Sequence, residues 1–305
     1  MRKKQLFQNF WQLLKHSFDA FLDDNAIKLS ASLSYYTIFS LPPLSIIILS
    51  ITGFFFGDEA VRGQFFGQIN GFVGNDAAAV IQDTIKNIEL SDSNVFAAIF
   101  GGIMLLIGAS GVFAEIQSSI NYIWGLKAKP NKSLVMFVKN RLMSFSMIAS
   151  VGFLLLVSLT VNTVMDVLNE RLAIYFPDLT VYVFYILNTI ILFLTTTLLF
   201  SIIFKTLPDG RMTWRDTFIG GAFTSFFFML GKFAIGFYLG NSSVASIYGA
   251  AGSVVIILVW VYYSAIILYF GAEFTKIYST RYGRKIIPND YAVEIQKEVY
   301  EIENK

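Results

Sequence analysis

Six stretches of this chain stay almost free of charge over lengths that match a lipid bilayer. Residues 29–57, 95–114, 142–165, 179–204 and 248–272 contain no Asp, Glu, Lys or Arg, and residues 217–239 contain only Lys232. A helix needs roughly 20 apolar residues to cross a hydrocarbon core about 30 Å thick. Barrel strands instead alternate apolar and polar residues over segments of about 10, and stretches such as 186–204 and 254–270 show no alternation. Of the 305 residues, 55% are hydrophobic and 14% charged, where a soluble domain carries roughly 25% charged residues. These features predict an all-α, polytopic integral membrane protein with six transmembrane helices.

Orientation follows from the loops, because Lys and Arg collect on the cytoplasmic side. Arg2, Lys3, Lys4, Lys15 and Lys28 precede the first span, and Lys127, Lys129, Lys132, Lys139 and Arg141 follow the second. Lys205, Arg211 and Arg215 follow the fourth, and Lys276, Arg281, Arg284 and Lys285 follow the sixth. The alternate loops are poor in bases, with Asp58, Glu59, Asp76, Asp83, Glu89 and Asp92 against Arg62 and Lys86 after span 1, Asp166, Glu170 and Asp178 against Arg171 after span 3, and no charge after span 5. Both termini are therefore expected in the cytoplasm.

The pattern divides the chain into a cytoplasmic N-terminus (1–28), a six-helix domain (29–272) with an external segment at 58–94, and a cytoplasmic tail (273–305). No cleavable signal peptide is expected, since Lys15 and Asp19 interrupt residues 6–22. There, Phe7, Phe10, Trp11, Leu14, Phe18, Phe21 and Leu22 share one helical face, and Gln8, Gln12, Lys15 and Asp19 the other. This predicts a helix in the inner headgroup plane; docking onto the protein's own loops is the alternative. Residues 76–90 are expected to form a short amphipathic helix. The stretch after Pro288 is expected to be a solvated helix or a frayed end.

With no cysteine and a single histidine, His16, the chain has no thiol nucleophile and no metal site of the usual Cys/His type. It shows no phosphate-cradling glycine loop and no nucleophile elbow. No cofactor and no enzymatic activity are expected. Pro42-Pro43 removes two backbone donors from span 1, either opening a cavity-lining break or making a plain kink satisfied by nearby hydroxyls from Ser30 to Thr37. An ionisable group inside a membrane marks a functional site, which singles out Lys232, although it could also snorkel to the outer headgroups. Glu115 and Glu273 are expected to end spans 2 and 6 at the inner interface, near Arg141 and Lys205. Ala97-x3-Gly101, Ala98-x3-Gly102 and Gly249-x3-Ser253 are expected to serve close helix packing.

In order and spacing, several pieces resemble the YihY/BrkB family of bacterial inner-membrane proteins over roughly residues 10–285. They are Asp24-Asn25-Ala26 through Tyr35-Tyr36 and Phe39 to Pro42-Pro43; Gly108-Ala109-Ser110-Gly111 with Phe113, Gln117, Asn121 and Trp124; Lys205, Pro208 and Trp214-Arg215-Asp216; and Tyr248-Gly249-Ala250, Trp260 and Gly271-Ala272-Glu273. The resemblance implies six helices in the inner membrane. Family members have carried a ribonuclease label, which these residues do not support, and have been suspected of moving lipids or other solutes. The expected function is a transporter for a lipid or another anionic amphiphile or small molecule, in contact with membrane lipids and not with nucleic acid, its oligomeric state left open. Its path would use Lys232, Arg141, Lys205, Arg215, Glu273, Asn121, Gln117 and Tyr248, with Pro42 and Pro43 as the helix break. A non-catalytic envelope scaffold, using the external segment, is the alternative, and an intramembrane enzyme or ribonuclease ranks last.

Overall fold

The structure is a computed structural model that describes residues 2–40, 95–129, 177–241 and 252–295. Six helices occupy most of this part: α1 (Arg2–Asp23), α2 (26–40), α3 (Val95–Trp124), α4 (Pro177–Thr206), α5 (Trp214–Asn241) and α6 (Gly252–Tyr282). Three carry segments long and apolar enough to cross a membrane, at Ile186–Thr206, Trp214–Ile235 and Val254–Tyr282. Pro42, Pro43, Arg141, Tyr248, the segment 58–94 and the stretch 142–165 lie outside the described residues, as does Gly249.

The outward surface of the bundle is that of a protein dissolved in lipid. On α4, Ile186, Leu187, Ile190, Leu194 and Leu198 are exposed; on α5, Phe226, Leu230, Phe233 and Phe237. Spacings of three and four residues place each set on one helix face. In water such stripes would drive association.

Between the helices, small residues allow close approach. A side chain at Gly220 would overlap the Thr275 hydroxyl, one at Gly271 the Thr224 hydroxyl, and one at Gly221 the Ser201 hydroxyl. These contacts seat α5 between α4 and α6, antiparallel to both. Aromatic packing continues the seam: Phe223 stacks on Phe274 at 3.7 Å, and Phe228 meets Trp260 edge-on at 5.8 Å. The hydroxyls of Ser201, Thr224 and Thr275 donate to the carbonyl four residues back, which removes the cost of a polar group in an apolar surrounding. Ser30, Ser34 and Thr37 do the same on α2, donating to Ala26, Ser30 and Leu33. Their bonds thus serve regular helix upstream of the proline pair.

Helices α3 and α6 run about ten residues past the expected ends of spans 2 and 6. Glu115 and Glu273 therefore sit inside helices rather than at helix termini, and α6 itself ends at Tyr282. The reason is packing: the added turns bury Gln117, Ile120, Ile123, Trp124, Phe274 and Thr275 against neighbouring elements. The last three turns of α6 also support α1. Gln12 accepts a bond from Arg281 at 3.1 Å, and Phe21 meets Phe270 edge-on at 6.0 Å, so the two helices run antiparallel. The amphipathic helix thus docks on the protein itself, through Leu13, Ser17 and Phe21, while Phe10, Trp11, Phe18 and Leu22 remain exposed. Asn25, in the left-handed region at φ 52°, forms the elbow to α2.

Where α3 and α6 end and α5 begins, three connections are laced together; we refer to this as the basic end. Strand β1 (Leu126–Ala128) pairs antiparallel with β4 (Ala292–Glu294), and β2 (Gly210–Arg211) with β3 (Ile287–Pro288). Residues 287–294 are therefore strand and turn, not the start of the helix or frayed end expected after Pro288, while residues 296–305 lie outside the described residues. Pairing with the other two connections gives them backbone partners that an isolated tail lacks. Gly125, at φ 68°, turns the chain out of α3 into β1.

Candidate functional site

The sequence-derived site residues fall at two levels of the bundle. Gln117 and Asn121 stand one turn apart on α3 and both reach the connection between α4 and α5. Gln117 Nε2 donates to Asp209 Oδ1 at 3.1 Å and Asn121 Nδ2 to Oδ2 at 2.8 Å, while Asp209 N donates back to Asn121 Oδ1 at 2.8 Å. Asp209 is 2% exposed, and its carbonyl accepts the Asn289 N–H at 2.9 Å. Through its carboxylate and its backbone, this one buried residue ties α3, the α4–α5 turn and the tail together. In sequence, Pro208-Asp209-Gly210 is a turn signature, and nothing there marked Asp209 as the buried acceptor.

A second acid closes the adjacent corner. Thr213 Oγ1 accepts the Asp216 N–H at 3.2 Å, an N-cap arrangement at the start of α5. Asp216 Oδ2 in turn accepts from Ser279 Oγ at 3.3 Å and from Arg284 N at 3.4 Å, fastening α5 to the end of α6.

Glu273 has no exposed surface. Its expected neighbour Lys205 is occupied elsewhere: it donates to the Met212 carbonyl and lies 5.7 Å over the Trp214 ring. Lys276 is a cation beside Glu273, with Nζ 4.0 Å from Oε2. The same ammonium lies 3.9 Å from Asp24 Oδ2 at the α1–α2 elbow and donates to the Ile123 carbonyl. A cation at that carbonyl also suits the negative end of α3's dipole. Trp124 Nε1 donates to the Ala272 carbonyl at 3.1 Å, so α3, α6 and the elbow meet within one shell. Lys276 looked like an ordinary tail base in the sequence because α6 was expected to stop before it. Arg215 is exposed on the first turn of α5.

Lys232 lies far from this end, part-buried on α5. It stands four residues after the buried Phe228, off the exposed stripe of Phe226, Leu230, Phe233 and Phe237. Beside it, the Tyr263 ring fills the space that any side chain at Gly231 would need. Among the described residues, no group of three or more His, Asp or Glu is placed to hold a metal ion.

A family model described as virulence factor BrkB matches residues 17–292. The chain belongs to the BrkB family. Its relatives include UPF0761 membrane proteins of Saccharophagus degradans, 27% identical over 266 residues, and of Alteromonas mediterranea, 26% identical over 285 residues. The first alignment covers 86% of this chain and 58% of the relative, and the second covers 89% and 90%. A Psychrobacter relative is 24% identical over 277 residues, covering 90% of this chain and 49% of its own length. This BrkB-family chain thus spans only about half the length of several relatives it matches. No solved structure matches it.

Proposed function

We propose that this membrane protein moves an anionic amphiphile, such as a phospholipid, between the leaflets of the bacterial cytoplasmic membrane, with six spans and both termini in the cytoplasm. The observation that carries this reading is Lys232: an ammonium on an apolar span, turned toward the packed side of α5 rather than the lipid stripe. Placing Lys near the centre of a transmembrane helix costs roughly 2.5–3.5 kcal/mol on insertion scales. An ammonium held at that depth would attract a negatively charged headgroup in transit. The basic end supports the same reading. Lys127, Lys129, Lys205, Arg211, Arg215, Arg281, Arg284 and Lys285 follow or begin the helix ends that meet there, which fits a cytoplasmic face and would concentrate phosphate headgroups at its surface. No catalytic step is part of this reading.

The test is leaflet exchange of a fluorescent anionic phospholipid in proteoliposomes. Wild-type protein should speed exchange well above empty liposomes, and Lys232→Ala and Arg141→Ala should each slow it. Wild-type exchange no faster than that of empty liposomes refutes the proposal.

A further inference from the structure

Helix α1 presents three edges. Leu13, Ser17 and Phe21, four residues apart, form the buried one. Trp11, Phe18 and Leu22 form a second, about a third of a turn round the helix. It is apolar yet exposed, Trp11 to 64% and Phe18 to 53%. Gln8, Asp19 and Asp23 form the third, polar and exposed. Lys15 borders the apolar edge, and Arg2, Lys3 and Lys4 open the helix. The depth of the apolar edge follows from a chain of ring contacts. It starts at Phe226, on the exposed stripe of α5, and passes to Phe227 at 5.6 Å, Phe270 at a further 5.8 Å and Phe21 of α1 at a further 6.0 Å. Phe270 itself belongs to the apolar segment Val254–Tyr282. The half of α1 that carries Phe18 and Leu22 thus stands level with side chains of the spans. The other half lies at the basic end, where Gln12 meets Arg281. Trp11 stands about 10 Å from Phe18 along the axis, on the side of the basic end, and Trp collects at membrane boundaries.

We infer that the Trp11–Phe18–Leu22 edge of α1 inserts into the leaflet bordering the basic end, whose anionic headgroups draw in Arg2, Lys3, Lys4 and Lys15. Because α1 runs antiparallel to α6, it enters lengthwise, with Leu22 deepest and Arg2 outermost. Apolar burial holds it near the elbow, and attraction to anionic lipid holds its free end. Lys15 reaches the headgroups along its own apolar stem, while Asp19 and Asp23 stay on the polar edge, away from the hydrocarbon. The helix is thereby clasped between α6 on one edge and lipid on the other. This holds whether or not the protein moves lipid.

The chain has no cysteine, so a spin label can be set at one chosen position of the full-length protein in phosphatidylethanolamine–phosphatidylglycerol vesicles. Labels on Phe18→Cys and Leu22→Cys should collide several-fold more with dissolved oxygen than with a water-soluble nickel chelate, and the label on Asp19→Cys should show the reverse. The label on Trp11→Cys should lie between them. Exchanging phosphatidylglycerol for phosphatidylcholine should open Trp11→Cys to the chelate and leave Leu22→Cys unchanged. Chelate access at Phe18→Cys and Leu22→Cys equal to that at Asp19→Cys places the edge in water. Poor access for both reagents places it under protein, whether a second copy or another part of this chain. Either result overturns the inference, and identical access at Trp11→Cys in the two kinds of vesicle overturns its electrostatic part. In the unlabelled chain, lipids brominated near the headgroup should quench the emission that Trp11→Phe removes; quenching of that emission by aqueous iodide alone overturns the inference as well.

Discussion

Asp209→Ala is the substitution that most directly tests how the basic end is held. It deletes the acceptors of Gln117 Nε2 and Asn121 Nδ2 but leaves both backbone bonds of residue 209, from its N–H to Asn121 Oδ1 and from Asn289 N–H to its carbonyl. The effect is therefore that of the carboxylate alone. Hydrogen bonds to a charged group contribute about 1.5–3 kcal/mol each. Relief of the carboxylate's own desolvation offsets part of that, while the Gln117 amide, 2% exposed, loses an acceptor. The net loss should be about 2–4 kcal/mol, or about 3–6 °C in the unfolding midpoint for a chain of this size. Thermal unfolding in detergent, followed by size-exclusion chromatography, measures it. Asp209→Asn should fall between wild type and Ala. Asn121 cannot turn its amide without losing the bond from Asp209 N, so the new amide must face Gln117, which can turn. In a double-mutant cycle, Asp209→Ala and Asn121→Ala should couple by more than about 1 kcal/mol. Additivity within about 0.5 kcal/mol would refute the reasoning.

Lys276→Met should destabilise the fold by about 3–5 kcal/mol, because it leaves two largely buried carboxylates without their shared ammonium; adding Glu273→Gln should recover part of the loss in the same melt. Gly231→Ala should cost about 1–3 kcal/mol through overpacking against Tyr263, and much less when combined with Tyr263→Ala, a difference that thermal unfolding of the four proteins resolves. Because the chain has no cysteine, single Cys residues at Lys127, Arg211 or Lys285 report sidedness cleanly. A membrane-impermeant maleimide should label them in inside-out vesicles and leave them unmodified in intact cells, and the opposite pattern would reverse the proposed orientation.

The three spans at Ile186–Thr206, Trp214–Ile235 and Val254–Tyr282 were legible because lipid imposes one rule along the whole helix, and charge-free runs show it without any knowledge of partners. Helix ends were not legible at α3 and α6, where that rule stops applying. Past Glu115 and Glu273 the helices continue into mixed sequence, held by partners far along the chain: Trp124 by Ala272, Gln117 by Asp209, Ser279 by Asp216. A local pattern cannot report a contact 148 or 92 residues away. The same limit explains residues 287–294, expected as the start of a solvated helix, whose backbone groups instead find β1 and β2. The resemblance to the family saw further than the periodicity did. Of the residues that carry it, Asp24, Gln117, Asn121, Trp124, Lys205, Trp214, Asp216, Ala272 and Glu273 come from separate elements and converge at the basic end. Their shared place argues that this end is one mechanical unit: the α1–α2 elbow, the α4–α5 turn and the tail cannot move independently, since Lys276, Asp209 and Asp216 each bind two or more of the elements that would have to part. A change of charge at any of the three should therefore be felt at the elbow.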